Sequence, residues 1–396
     1  MGRKPLKKLL KNSNKSSTAK NEKKDEFREK LVKQKRIKET FDAKDSIQFV
    51  STGCTTLNLS LTNDARKGYP VGRVVNVVSD YSCGKTLMLC ELINSVWYNE
   101  HIIKNKKVKI YYDEPEASFD LGLAEEFGMP LENIIGLRQR IDDKYKGEFK
   151  HSKTIEDFVN NIDDIIKSKD KNDIVIYGLD SLDAITDERE QNHIEKKGIG
   201  SQDYGGGKAS VLSKFFRTKI QDLHENNILL FIISQIRDNI NAGLFGKKYK
   251  RSGGKALDFY CSQIIWLYES GKIESNKGIV QGIEVRANVE KNKVGERYHK
   301  VNFNILHGYG VDNISSMIDF LWDKGGFEKS GSYIIWEMPD GSEKKYYRSE
   351  LAKIADSDKT VYNRLIDMCQ DTWNGMIDEA KKTFARSKKW GRDIIQ

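Results

Sequence analysis

From residue 74 onward, short apolar runs alternate with stretches whose apolar residues recur at helical spacing. The runs at 74–78, 108–112, 174–177 and 228–233 are rich in Val and Ile and too short for helices, which suits strands buried on both faces. The stretches 86–99, 121–127, 155–166 and 211–225 place apolar residues three and four apart, as helices that bury one face do. Repeated strand–helix units imply an α/β fold, a mostly parallel central sheet flanked by helices. Strand signals at 263–268, 282–289 and 300–305 follow without intervening helices and predict an antiparallel extension of that sheet. Residues 314–396 combine helix-period segments, a hairpin signal at 333–338 and many lysines. At the other end, 1–24 are rich in Lys, Asn and Ser, and 25–44 suit a helix with only a thin stripe of Phe27, Leu31, Val32 and Ile37. The expected organisation is an arm (1–45), a core (46–313) and a small C-terminal domain (314–396), with no internal repeat of fixed period.

Composition narrows the class. Of 396 residues 38% are hydrophobic and 32% charged, and no apolar run approaches the ~18 residues of a membrane span. The basic first residues contain no secretory apolar segment, so a cytoplasmic protein is expected. Cys54, Cys83, Cys90, Cys261 and Cys369 form no CxxC pair, and the histidines are isolated, which argues against a disulfide framework or a zinc site. The formal net charge of +9 resides in the arm: residues 1–44 hold 16 Lys and Arg against 6 Asp and Glu. A basic arm suits nucleic acid or an acidic partner.

The sharpest chemistry follows the first core strand. Ser79, Asp80, Tyr81, Ser82, Cys83, Gly84, Lys85, Thr86 and Leu87 run from a strand through a loop into an apolar helix, the setting a P-loop requires. Backbone N–H groups and the helix dipole there hold an anionic phosphate; Lys85 reaches the β- and γ-phosphates, and the Thr86 hydroxyl ligates Mg2+. The first position of GxxxxGK[ST] holds Ser79 in place of glycine, which a negative φ permits. The strand at 174–177 leads to Asp180, where a carboxylate orders the metal and its waters. The strand at 108–112 leads to Asp113, Glu114, Pro115 and Glu116, and either glutamate suits a base that polarises the attacking water. The strand at 228–233 leads to Ser234 and Gln235, an amide able to sense the γ-phosphate. Four polar tips thus converge on one sheet edge, where open α/β sheets bind ligands. Gly205, Gly206, Gly207 and Lys208 imitate a phosphate loop but follow a polar stretch, and read as a flexible loop.

In this order the motifs resemble those of the RecA family of homologous-recombination ATPases, of the bacterial and phage type, over roughly residues 46–330. Ser51, Thr52 and Gly53 open the similarity, and Gly68, Tyr69, Pro70, Val71, Gly72 and Arg73 precede the P-loop strand as in the family. Ser234, Gln235, Ile236 and Arg237, the GGKALDFY segment at 253–260, and VEKNKV at 289–294 continue it. The resemblance implies that Asp120 contacts adenine, and counting back from it places Glu116, not Glu114, on the catalytic glutamate. It implies that Gln235 links the γ-phosphate to a DNA-binding loop, and that Lys291 and Lys293 reach ATP held by a neighbouring subunit. Leu123 stands where the family has an adenine-stacking Tyr. Two loops, about 187–209 and 237–255, are implied to bind DNA, the second through Arg237, Phe245, Lys247, Lys248, Lys250, Arg251, Gly253 and Gly254. The residue types agree: Lys and Arg neutralise phosphates, glycine admits close backbone, and Phe245 can stack between bases.

The implied protein is an ATP- and Mg2+-dependent recombinase, a DNA-dependent ATPase. It would form a helical filament on single-stranded DNA, pair it with homologous double-stranded DNA and exchange strands, aided by single-strand-binding and loader proteins. Two rivals share the same residues. One is a RecA-like ring helicase. The other is a DNA-binding accessory filament protein with degraded catalysis, which Ser79 and Leu123 favour.

Overall fold

The computed structural model describes residues 47–80, 82–98, 107–170, 172–198, 207–238, 249–251, 253–275, 277–297, 299–338 and 341–383. The arm and its expected helix at 25–44 lie outside them, and the elements that follow belong to one unit beginning at Phe49. Strands β1 (Phe49–Val50) and β2 (Tyr69–Pro70) pair antiparallel and flank α1 (Thr55–Thr62) in the chain. The main sheet begins with β3 (Val74–Ser79) and α2 (Lys85–Tyr98), then β4 (Val108–Asp113), α3 (Leu121–Glu126) and the short β5 (Ile134–Ile135). Next come α4 (Ile155–Ser168), β6 (Ile174–Leu179), α5 (Glu188–Lys197), α6 (Gly207–Glu225) and the long β7 (Ile228–Asp238). It is completed by β8 (Tyr249–Arg251), α7 (Gly254–Tyr260), β9 (Gln263–Glu274), β10 (Val280–Asn292), β11 (Lys300–Leu306) and β12 (Gly310–Asp312).

In space the strands run β12-β11-β10-β9-β3-β7-β6-β4-β5, with β8 attached to β7. From β9 through β3 to β5 all neighbours are parallel, and β9 to β12 are antiparallel. The expected parallel core with an antiparallel extension is therefore the architecture, and β3 stands one strand from the seam between them. Register aligns the strand ends: Ser79 is opposite Gln235, and Asp113 is opposite Leu179, the residue before Asp180.

Side chains alternate between two cores, as the period of a strand dictates. Val75, Val77, Ile176 and Phe231 join Met88 and Leu92 of α2 on one face, while Val74, Val78, Tyr177 and Leu230 join Phe158 of α4 and Phe216 of α6 on the other. α4 starts at a capping box in which Thr154 and Asp157 satisfy each other's backbone N–H groups. The remaining chain forms α8 (Asn313–Lys324), an antiparallel sheet of β13 (Glu328–Ser330), β14 (Tyr333–Glu337) and β15 (Glu343–Tyr346), α9 (Arg348–Ser357) and α10 (Lys359–Thr383). The hairpin signal at 333–338 is β14 with its partner β15. Met317, Leu321, Trp336, Leu365 and Trp373 share a single apolar cluster with Leu57 and Leu89. All five cysteines are buried and none is in a disulfide.

Two loop expectations are corrected. Much of 187–209 is helical: α5 begins at an Asp187 cap that accepts from the N–H groups of Arg189 and Glu190. With acidic residues in its first turn and lysines in its last, this helix complements its own dipole and needs no apolar stripe. Gly207 and Lys208 are not a flexible loop but the first residues of α6, and the Lys208 ammonium donates to the carbonyls of Leu182 and Ile185.

Candidate nucleotide site

β3 delivers the phosphate loop. Ser79 is fully buried, and it is absent from the described non-glycine residues of positive φ, which are Asn63, Ser82, Ala117 and Asn227. A serine therefore fits the first loop position without strain, and its Oγ donates to the Asp80 carbonyl at 2.6 Å. Gly84 is different: its φ is +85°, and a Cβ there would lie 2.4 Å from Ile305 Cδ1. Lys85 folds back, its Nζ 3.1 Å from Ser79 Oγ and 3.3 Å from the Ser79 carbonyl, with a further bond to the Asp80 carbonyl. Burial lowers its pKa, against the raising influence of Cys83, Asp180 and Asp80. Tyr81 lies outside the described residues.

The next strand tips close around this lysine. Thr86 Oγ1 donates to Asp180 Oδ2 at 2.7 Å, and the Tyr112 hydroxyl donates to the same oxygen at 2.8 Å. Burial raises the Asp180 pKa, and the charges of Glu116 and Glu114 add to the rise, opposed by the two donors. Glu116 Oε1 accepts from the Ser181 hydroxyl and, at 3.5 Å, from Gln235 Nε2. The Gln235 backbone N–H donates to Asp183 Oδ2 at 2.7 Å. Lys85, Thr86, Glu116, Asp180 and Gln235, expected from four separate motifs, are thereby linked or share one cleft.

Glu114 is employed otherwise. Its buried carboxylate accepts from the N–H groups of Ser118 (2.6 Å) and Phe119 (3.1 Å) and pairs with Arg140 at 3.4 Å. It folds the segment that presents the exposed Glu116. Asp120 caps α3 through the N–H groups of Gly122 and Leu123. The cleft, about 680 Å³, is lined by the polar Ser82, Lys85, Thr86, Glu116, Asp120 and Asp180 and by the apolar Leu87, Leu123, Phe127, Ile283 and Leu306.

Other expected residues lie elsewhere. Lys291 and Lys293 do not line the cleft; both ammonium groups donate to the Phe259 carbonyl at 2.9 Å, at the end of α7, and burial together with Lys293 lowers the Lys291 pKa. Arg251 turns inward, bonding Asn76 and Asp258, with its side chain 7% exposed. Gly253 and Gly254, both at positive φ, start α7. Arg237 and Lys250 fall in β7 and β8, while Phe245, Lys247 and Lys248 lie outside the described residues. Sequence reasoning missed Tyr112, Ser181 and Asp183. Ser181 follows Asp180 directly and offered a signal; Tyr112 offered only its place at a strand end.

The family model described as the RecA N-terminal domain matches residues 24–312. The chain belongs to the RecA family. Protein RecA of Colwellia psychrerythraea is 28% identical over 326 residues, covering 81% of this chain and 84% of that one. Protein RecA of Bartonella bacilliformis is 28% identical over 313 residues, covering 78% and 81%. The crystal structure of the RadB recombinase aligns with a TM-score of 0.44 at 17% identity, covering 66% of this chain and 98% of that chain.

RecA-family proteins bind ATP with Mg2+, and the donor chemistry here fits that cation. Thr86 and Asp180 offer hard oxygens beside an excess of carboxylate charge. Among the described residues no group of three or more His, Cys, Asp or Glu gathers as a cation site. No described helix is long and apolar enough to cross a membrane.

Proposed function

We propose that this chain is an ATP-dependent recombinase that assembles on single-stranded DNA, pairs it with homologous duplex and exchanges strands. The observation that carries the reading is the contact of Gln235 with Glu116 beside the Thr86–Asp180 pair, which brings together a base, an amide sensor and a phosphate loop.

In this reading ATP enters the cleft with its phosphates on the loop. Lys85 exchanges the carbonyls of Ser79 and Asp80 for phosphate oxygens, a stronger charge-assisted pairing. Mg2+, held by Thr86 and Asp180, supplies neutralising charge at the phosphates. Glu116 accepts a proton from the attacking water, and Ser181 holds its carboxylate in place. Gln235 leaves Glu116 for the γ-phosphate, and because it belongs to the strand that feeds β8, its position biases the segment at 237–255. Lys291 and Lys293 release the end of α7 and complete the site of a neighbouring copy. ATP favours the DNA-binding state, and by linkage DNA raises ATP affinity reciprocally. Base pairing supplies sequence recognition.

A strand-exchange assay with homologous and heterologous duplexes tests this. Joint molecules are expected only with homologous duplex and ATP, alongside hydrolysis stimulated by single strands. Unwinding by closed rings would establish a helicase instead, and DNA binding without turnover an accessory filament protein.

A further inference from the structure

We propose that Tyr112 is a positioning residue that sets the affinity of the site for its divalent cation by fixing the Asp180 carboxylate. The inference rests on the function proposed above, and concerns a tyrosine that none of the phosphate-site motifs contains.

Tyr112 is the penultimate residue of β4 and is wholly buried. β4 and β6 are paired in parallel with Tyr112 opposite Gly178, two residues short of Asp180. A buried phenol must find an acceptor, because leaving its hydroxyl without one forfeits the bonds water gave it. Here the acceptor is Asp180 Oδ2, at 2.8 Å.

The geometry gives this bond a task. Thr86 and Tyr112 both donate to Oδ2, from α2 and β4, and so approach one oxygen from two different elements. Asp180 Oδ1 accepts no hydrogen bond among the described residues, and the carboxylate lines the cleft. One oxygen is therefore anchored twice and the other left to a cation or its water. The Tyr112 ring is itself held, packed on Phe119 of the cleft wall with centroids 4.8 Å apart. A Thr86 hydroxyl whose oxygen serves a cation can still donate its proton to Oδ2, but from the loop side alone; Tyr112 adds a second anchor from β4 that takes no part in holding the cation. Tyr112 stands behind the cleft and does not line it, so its bond survives loading of the site.

The test uses the full-length chain and a fluorescent N-methylanthraniloyl ADP, titrated first in EDTA and then with MgCl2. Tyr112→Phe keeps the ring on Phe119 and removes only the donor; melting curves in EDTA fix a temperature at which both proteins are folded. The expected result is a metal-free nucleotide affinity within about twofold of wild type and a half-saturating Mg2+ concentration raised by about 10- to 100-fold, the range for outer partners of metal ligands. In an Asp180→Asn background the same change should have no further effect. An unaltered Mg2+ requirement would overturn the proposal. So would parallel loss of metal-free and Mg2+-dependent affinity, the mark of a merely loosened core, or a persisting effect in the Asp180→Asn background. Failure of the wild-type chain to bind the nucleotide at all would instead remove the proposed function.

Discussion

Glu114 and Glu116 are two positions apart and chemically alike, yet their surroundings give them opposite tasks. The first is buried under two backbone N–H groups and Arg140, and the second is exposed toward Gln235. Glu116→Gln should retain nucleotide and DNA binding but slow hydrolysis by about 100-fold or more in a phosphate-release assay. Glu114→Gln should instead lower stability by about 1–3 kcal/mol in urea unfolding, since it weakens bonds that hold a buried loop. Equal hydrolysis by Glu116→Gln and wild type would move the base elsewhere. Residue types alone left this pair unresolved, because both glutamates follow a strand end and only the fold distinguishes a carboxylate turned into the loop from one turned out of it. Tyr112 and Asp183 were illegible for a related reason: each acts on a residue more than 50 positions away, through strand neighbours the sequence does not name. Ser79 shows the converse. Its negative φ was the condition for accepting a serine there, and the strand meets it.

At the level of elements, strands buried on both faces were plain in the sequence, since nothing but a covered sheet accommodates runs such as Ile174 to Tyr177. α5 was not, because its stabilisation lies in an aspartate cap and terminal charges and its apolar stripe is missing. The segment between β7 and β8 carries the proposed DNA contacts. Arg251, in β8 just beyond that segment, is turned inward onto Asn76 and Asp258. Neutralising Lys247 and Lys248 should flatten the salt dependence of single-strand binding, by about 0.7 in log–log slope for each phosphate left unneutralised. Arg251→Ala should leave that slope nearly unchanged and lower the unfolding midpoint, because it strands Asn76 in the core. A salt slope that falls for Arg251→Ala alone would reassign the DNA contact to the arginine.

Two predictions belong to the molecule as a whole. Glu91 of α2 is half-buried against the backbone of Gly53 and Gly310, accepts from the Val311 N–H, and has its pKa raised by desolvation. A carboxyl raised in the folded state favours folding while protonated; this contribution is full below the ordinary carboxylate range and is lost as pH climbs through the folded value. Glu91→Gln keeps the acceptor and removes the charge, so its thermal midpoint should exceed that of wild type at pH 8 and match it near pH 4. A constant offset across that range would refute the assignment. The second concerns assembly. In the proposed function the site is shared between copies, one supplying Lys85 from its cleft and the next Lys291 and Lys293, which lie at the end of α7 outside that cleft. Lys85→Ala and the Lys291→Ala/Lys293→Ala double variant should each lose DNA-dependent hydrolysis, and mixing the two should restore part of it. No recovery in the mixture would show that Lys291 and Lys293 do not act on a neighbouring copy.

One continuous strand also carries a mechanical consequence. β7 is 11 residues long; it is bonded to β3 as far as Gln235 and to β8 from Ile236 onward, with no hinge between the two partners. A displacement of β8 reaches the Gln235 amide along one uninterrupted strand, as along a stiff rod. In the proposed function DNA binding and phosphate occupancy are two loads on one beam, and a glycine pair inserted at 236 should uncouple them while leaving each end intact.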